Sequence, residues 1–95
     1  MLEAKAPFVG EYTTRGTPKK AQTPEEFRDH CFKLIKISGP KRSEEIKKYF
    51  INYNLIPVKK SFGNKYISRQ LNPDKRFKNL NKGYPVLWGI EEEYL

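Results

Sequence analysis

The sequence holds one cysteine, one histidine, one tryptophan and one methionine, and none of its apolar runs is long. Each scarcity excludes something. The lone Cys31 forms no internal disulfide, and together with His30 it supplies too few ligands for a zinc site. These two neighbours fall on different faces of a helix, so they do not form a nucleophile–base pair. Cys31 reads instead as a small core residue. No stretch approaches the roughly 20 apolar residues of a membrane span. The opening residues, Met1 to Pro7, contain no apolar run of signal-peptide length. The expectation is therefore a cytoplasmic or nuclear protein that is neither secreted nor bound to a membrane.

Catalytic signatures are equally sparse. The sequence has no glycine-rich phosphate loop and no Ser/His/Asp set in a suitable context. Its carboxylates sit at helix starts or in Glu91-Glu92-Glu93, where the helix dipole and solvent account for them. The chain is thus expected not to be an enzyme, and to use no cofactor and no metal.

What is present is positive charge. Lys and Arg number 19 against 11 Asp and Glu, for a net charge of +8. Between Lys41 and Lys82 there are twelve Lys and Arg against only Glu44, Glu45 and Asp74. The acidic run at the C-terminal end reverses the sign, so the basic middle reads as a face. Acidic partners follow, nucleic acid first among them, then acidic protein surfaces. Aromatic residues reach 14%, which is core-forming material and more than a disordered basic tail carries.

Residues 1–22 are rich in Pro and Gly and read as a flexible basic N-terminal arm, from which Phe8, Val9 and Tyr12 can still dock. Residues 23–95 read as one domain. Its first helix opens with Thr23-Pro24-Glu25-Glu26, a capping box with proline at the first helical position. Phe27, Cys31, Leu34 and Ile35 follow as an apolar stripe, and Gly39-Pro40 ends it. A second helix starts at Ser43, with Ile46, Tyr49, Phe50 and Tyr53 inward, and is loosened by Asn52 to Asn54. Leu55-Ile56-Pro57 forms an apolar turn.

The third helix has two possible starts. Val58 to Phe62 is either a turn or an early helical segment, and Gly63 breaks any long helix. From Asn64 the pattern is firm: Ile67 and Leu71 face inward, and Asn72-Pro73 is the stop. Arg76 to Leu80 alternates as a strand, Asn81-Lys82-Gly83 marks a turn with Gly83 at its tip, and Tyr84 to Ile90 returns. In the returning strand Val86, Trp88 and Ile90 share one face, and Pro85 argues for an edge.

On the third helix Lys65, Ser68, Arg69 and Asn72 fall at i, i+3, i+4 and i+7, which makes one polar face. Arg can bond two acceptors on guanine and Asn two groups on adenine, while Lys and Ser commonly take phosphates. Arg76, Lys78 and Lys82 in the hairpin, with Lys41, Arg42, Lys59 and Lys60, are further candidate phosphate contacts. Tyr66 is an open position from which a ring can stack on an unpaired base. In the arm, Arg15-Gly16-Thr17-Pro18 resembles the AT-hook core Arg-Gly-Arg-Pro, with Thr17 replacing the second arginine. The arm also fits a basic tail along phosphates, or a leader without function.

The run Tyr66 to Asn72 resembles recognition helices of the repressor type. From Thr23 to Ile90 the order of elements looks like the winged helix-turn-helix superfamily, with Phe77 and Trp88 anchoring the closing hairpin. That resemblance implies an α+β fold of three helices followed by a two-stranded β-hairpin wing. It also implies double-stranded DNA binding, with the third helix in the major groove, the wing on phosphates or the minor groove, and a role in regulating transcription or replication. Two other classes fit the same residues: a protein-interaction module that targets an acidic surface, and an RNA or single-strand binder.

Overall fold

The fold is seen in a computed structural model that describes residues 8–56, 62–83 and 85–95. Helix α1 runs Pro24–Ser38 and begins where its cap dictates. The Thr23 hydroxyl accepts the Glu26 backbone N–H at 3.1 Å, and the Glu26 carboxylate accepts the N–H of Gln22 at 3.2 Å. The expected stripe is buried in full: Phe27, Cys31, Leu34 and Ile35. Burial pushes the Cys31 thiol well up from its ordinary pKa, so it is an inert core group.

Strand β1 is only Lys41–Arg42, and helix α2 follows at once as Ser43–Asn52. Ile46, Tyr49 and Phe50 are buried and Tyr53 is half-buried. The end of α2 is not loosened by its asparagines. Asn54 takes a left-handed φ of 53°, its N–H bonds the Ile51 carbonyl at 3.1 Å, and the Leu55 N–H bonds the Phe50 carbonyl at 2.9 Å. That pair of bonds is a Schellman stop, and the accompanying contact is between buried Phe50 and Leu55.

Helix α3 is Asn64–Leu71, so it starts after Gly63 and spans about 12 Å at 1.5 Å per residue. Strands β2 (Phe77–Asn79) and β3 (Leu87–Ile90) complete an antiparallel sheet in the order β1-β3-β2. The sheet therefore has three strands where the sequence suggested two, and the returning strand β3 is central rather than an edge; Pro85 lies before it and costs the ladder no hydrogen bond. Lys41 pairs with Trp88 and Arg42 with Leu87, while Phe77 pairs with Ile90 and Asn79 with Trp88. A two-residue strand has no alternation to read, so β1 is visible only through its partner. Ser43 does not cap α2; its hydroxyl accepts the Trp88 indole N–H at 3.0 Å, which ties the helix start to the central strand. The result is an α+β fold with one core, in which α1, α2, α3 and the inner face of the sheet meet at Phe27, Phe50, Ile67, Leu71, Phe77 and Trp88.

Residues 8–22, read from sequence as an arm without structure of its own, form a hairpin docked onto this core. Tyr12 bridges Pro18, and the Lys19 N–H bonds the Glu11 carbonyl at 2.9 Å. The Val9 N–H donates to the Tyr49 hydroxyl at 3.1 Å, and that hydroxyl lies 2.8 Å from His30 Nε2. Burial, reinforced by Lys33, lowers the His30 pKa to about 4, and burial raises the Tyr49 pKa to about 12. At neutral pH both groups are therefore uncharged, and the phenol hydroxyl and the imidazole Nε2 share a hydrogen bond whose direction follows the imidazole tautomer. Gly10 sits so close that a Cβ there would fall 2.6 Å from the His30 ring. Phe8 packs on Tyr53 and Tyr12, and the Ala21 N–H bonds the Leu55 carbonyl at 2.9 Å.

Candidate functional site

Helix α3 is held from below and from one side. Ile67 and Leu71 are fully buried. Tyr66 is half-buried, edge-on to Phe27 at 5.3 Å and tilted on Phe62 at 5.7 Å, so the core already uses one side of its ring. Gln70 reaches the other way, where its side-chain carbonyl accepts from Arg28 of α1 at 2.9 Å. What remains outward is the face that the i, i+3, i+4, i+7 spacing marks. Lys65, Arg69 and Asn72 are exposed, and Ser68 is half-buried between them. The helix contains no carboxylate, and no ion pair engages Lys65 or Arg69 among the described residues.

The tip of the β2–β3 hairpin is built by two asparagines. The Asn79 side-chain oxygen accepts the N–H groups of Asn81 (3.0 Å) and Leu87 (3.1 Å), and its amide donates to the Gly83 carbonyl at 2.9 Å. Asn81 spans the loop to the Pro85 carbonyl at 2.8 Å. The residue in the left-handed region is Lys82, at φ 55°, and not Gly83, which the sequence suggested as the shaping residue. Such a φ costs a non-glycine residue about 1–2 kcal/mol. The exposed Lys82 side chain is thus projected by a loop wired on both sides.

The other candidate cations divide. Arg42 is exposed at the start of α2. Lys41 is half-buried, and its ammonium donates to the Ser38 carbonyl at 3.1 Å, at the negative end of α1. Lys78 is half-buried, with its ammonium 3.9 Å from the Glu91 carboxylate. Arg76 is committed inside the fold. It makes two bonds to the Asp74 carboxylate (3.1 and 2.8 Å) and one to Asp29 (2.9 Å), and its plane lies over Phe32 at 5.0 Å. Arg28 adds to the cluster, 3.6 Å from Asp74. Bonds from Arg76 hold the Asp74 carboxyl below its ordinary pKa, and Asp74 in turn raises that of Arg76. Arg76 therefore closes the corner between α1, the end of α3 and β2, and is not offered to a ligand. Lys59 and Lys60 lie outside the described residues, as does Tyr84.

Asn79 and Asn81, two residues apart and just before Lys82-Gly83, were the available sequence signal for a turn built by side chains. Between Asn52 and Asn64 the described residues are 53–56, 62 and 63; residues 57–61, which hold Pro57 and most of the segment read as a turn or an early helix, lie outside them. Among the described residues no group of three or more His, Cys, Asp and Glu is placed to hold a metal ion, and no helix is long and apolar enough to cross a membrane. No family model, no curated protein and no solved structure matches the chain.

Proposed function

We propose that the chain is a double-stranded DNA-binding domain of the winged helix-turn-helix type. Helix α3 enters the major groove, and the β2–β3 hairpin is the wing, lying on phosphates or in the minor groove. The order α1-β1-α2-α3-β2-β3 and the sheet order β1-β3-β2 support this reading. The observation that carries it is the acid-free outward face of α3, with Arg69 and Asn72 to read base edges and Lys65 and Ser68 to take phosphates. Lys82 at the wing tip and Arg42 at the start of α2 add phosphate contacts.

A lysine in the left-handed position beside an available glycine gains nothing for folding, and is better accounted for by what its ammonium meets. The half-buried, core-packed Tyr66 speaks against a binder that stacks unpaired bases. A small regulator of transcription or replication is the role that fits such a domain.

Selection from a random duplex pool tests the reading. The wild-type chain should enrich a base motif, and Arg69→Ala should lose preference at one position within it. Recovery of no duplex at low salt would leave the acidic protein partner as the better account.

A further inference from the structure

The N-terminal hairpin is a second charged feature, separate from α3 and the wing. Residues 11–19 are closed by backbone bonds from Thr13 to Thr17 (2.8 Å), Gly16 to Thr13 (2.9 Å) and Lys19 to Glu11 (2.9 Å). The hydroxyls of Thr13 and Thr17 meet at 2.8 Å across it. Thr17, which costs this stretch its likeness to an AT-hook, is thus the residue that shapes the turn. Gly16 takes a φ of +82°, which an L side chain rarely adopts, and this puts the exposed Arg15 at the tip. No carboxylate pairs with Arg15 among the described residues.

Lys19 and Lys20 follow, both exposed; they border an open cleft against α1 that also contains Lys33, Glu11, Glu26 and Asp29. The base of the hairpin is fixed by Val9 on Tyr49 of α2 and by Ala21 on Leu55, three residues past the end of that helix. This is a basic protrusion held in place, not a charged tail.

We infer that the 11–19 hairpin is a second contact for duplex DNA, in which Arg15, Lys19 and Lys20 grip the phosphate backbone beside the segment that α3 reads. The inference rests on the DNA-binding reading and extends it. A fixed loop loses less freedom on binding than a tail, so each cation contributes more of its attraction. Contacts of this kind release counterions, so the slope of log Kobs against log salt counts them at about 0.9 per phosphate.

The test measures that slope for the full chain and for Arg15→Ala/Lys19→Ala/Lys20→Ala on one duplex, with circular dichroism as a check on folding. A slope shallower by about two to three, with the selected base motif unchanged, supports the inference. A loss of base preference at a position next to the motif would place Arg15 in the minor groove, and would overturn the phosphate assignment. Gly16→Val keeps the charge and distorts the tip; it should weaken binding several-fold, and unchanged affinity overturns the fixed-hairpin argument. If the wild-type slope survives the triple substitution, the hairpin is no contact and the α3 reading stands. If the wild-type chain binds no duplex, both fail together.

Discussion

Two groups of cations in this molecule have similar sequence signatures and opposite fates. Around Asp74, Arg28 and Arg76 are drawn inward, with the Arg76 side chain 24% exposed and the Asp74 carboxylate only 11%. On α3 and at the tip of the β2–β3 hairpin, Lys65, Arg69 and Lys82 have no carboxylate near them among the described residues. The first group spends its charge on holding α1, the end of α3 and β2 together. The second leaves its charge to the solvent, or to a polyanion. Net charge alone does not distinguish them, and the placement of Asp29 and Asp74 does.

The sharpest way to break this contrast is to remove the carboxylate. Asp74→Ala removes the carboxylate that two guanidinium groups share in a partly buried corner, leaving Arg76 only Asp29 and Arg28 only Gln70, and should cost about 1–3 kcal/mol, read as a lower urea midpoint. Arg69→Ala should show the reverse pattern: about 1–3 kcal/mol lost in duplex binding, and a stability change within about 0.5 kcal/mol. If both variants lost stability and kept binding, the two groups would not differ in the way described.

Acid separates another part of the fold. The folded chain holds His30 at about 4, below its ordinary 6.5, because burial disfavours the imidazolium and Lys33 opposes it. The unfolded chain therefore takes up the proton first as pH falls. The His30 contribution is complete above pH 6.5 and declines from there to about pH 4. Asp74, whose pKa is lowered in the fold, adds its own loss below its ordinary 3.8. His30→Gln keeps an uncharged hydrogen-bonding partner for Tyr49, and should flatten the urea midpoint between pH 6.5 and 4 while leaving the fall below pH 4. A slope unchanged by His30→Gln would put the acid sensitivity elsewhere.

The smallest effect is expected at Lys82. Replacement by Gly relieves a left-handed φ but frees the unfolded chain, so stability should move by less than about 1 kcal/mol. The salt slope of duplex binding should fall by about one. A large loss of stability would mean that the lysine serves the loop rather than a ligand.

Most of the helical frame was legible because its determinants are local. The capping box at Thr23, the stripe from Phe27 to Ile35, and the inward pair Ile67 and Leu71 each lie within a few residues. The outward residues of α3 followed from the same period. What escaped depends on partners far along the chain: β1 needs Leu87 and Trp88, Arg76 needs Asp29, and the N-terminal hairpin needs Tyr49 and Leu55. Gly83 misled because glycine is the usual left-handed residue, and the asparagine bonds that hold Lys82 there cannot be weighed from composition. Gly63 was informative, since α3 begins just after it and keeps only about two turns to present.

If the uncompensated cations of α3 and the hairpin tip meet duplex DNA, as proposed, binding must weaken with salt and must depend on them. The most direct test is the salt dependence of duplex affinity for the wild-type chain and for Arg69→Ala/Lys82→Ala. The wild type should show a steep negative slope, and the double variant should bind more weakly at every salt concentration with a slope shallower by about one to two. Equal affinity and equal slope for the two proteins would contradict the proposal.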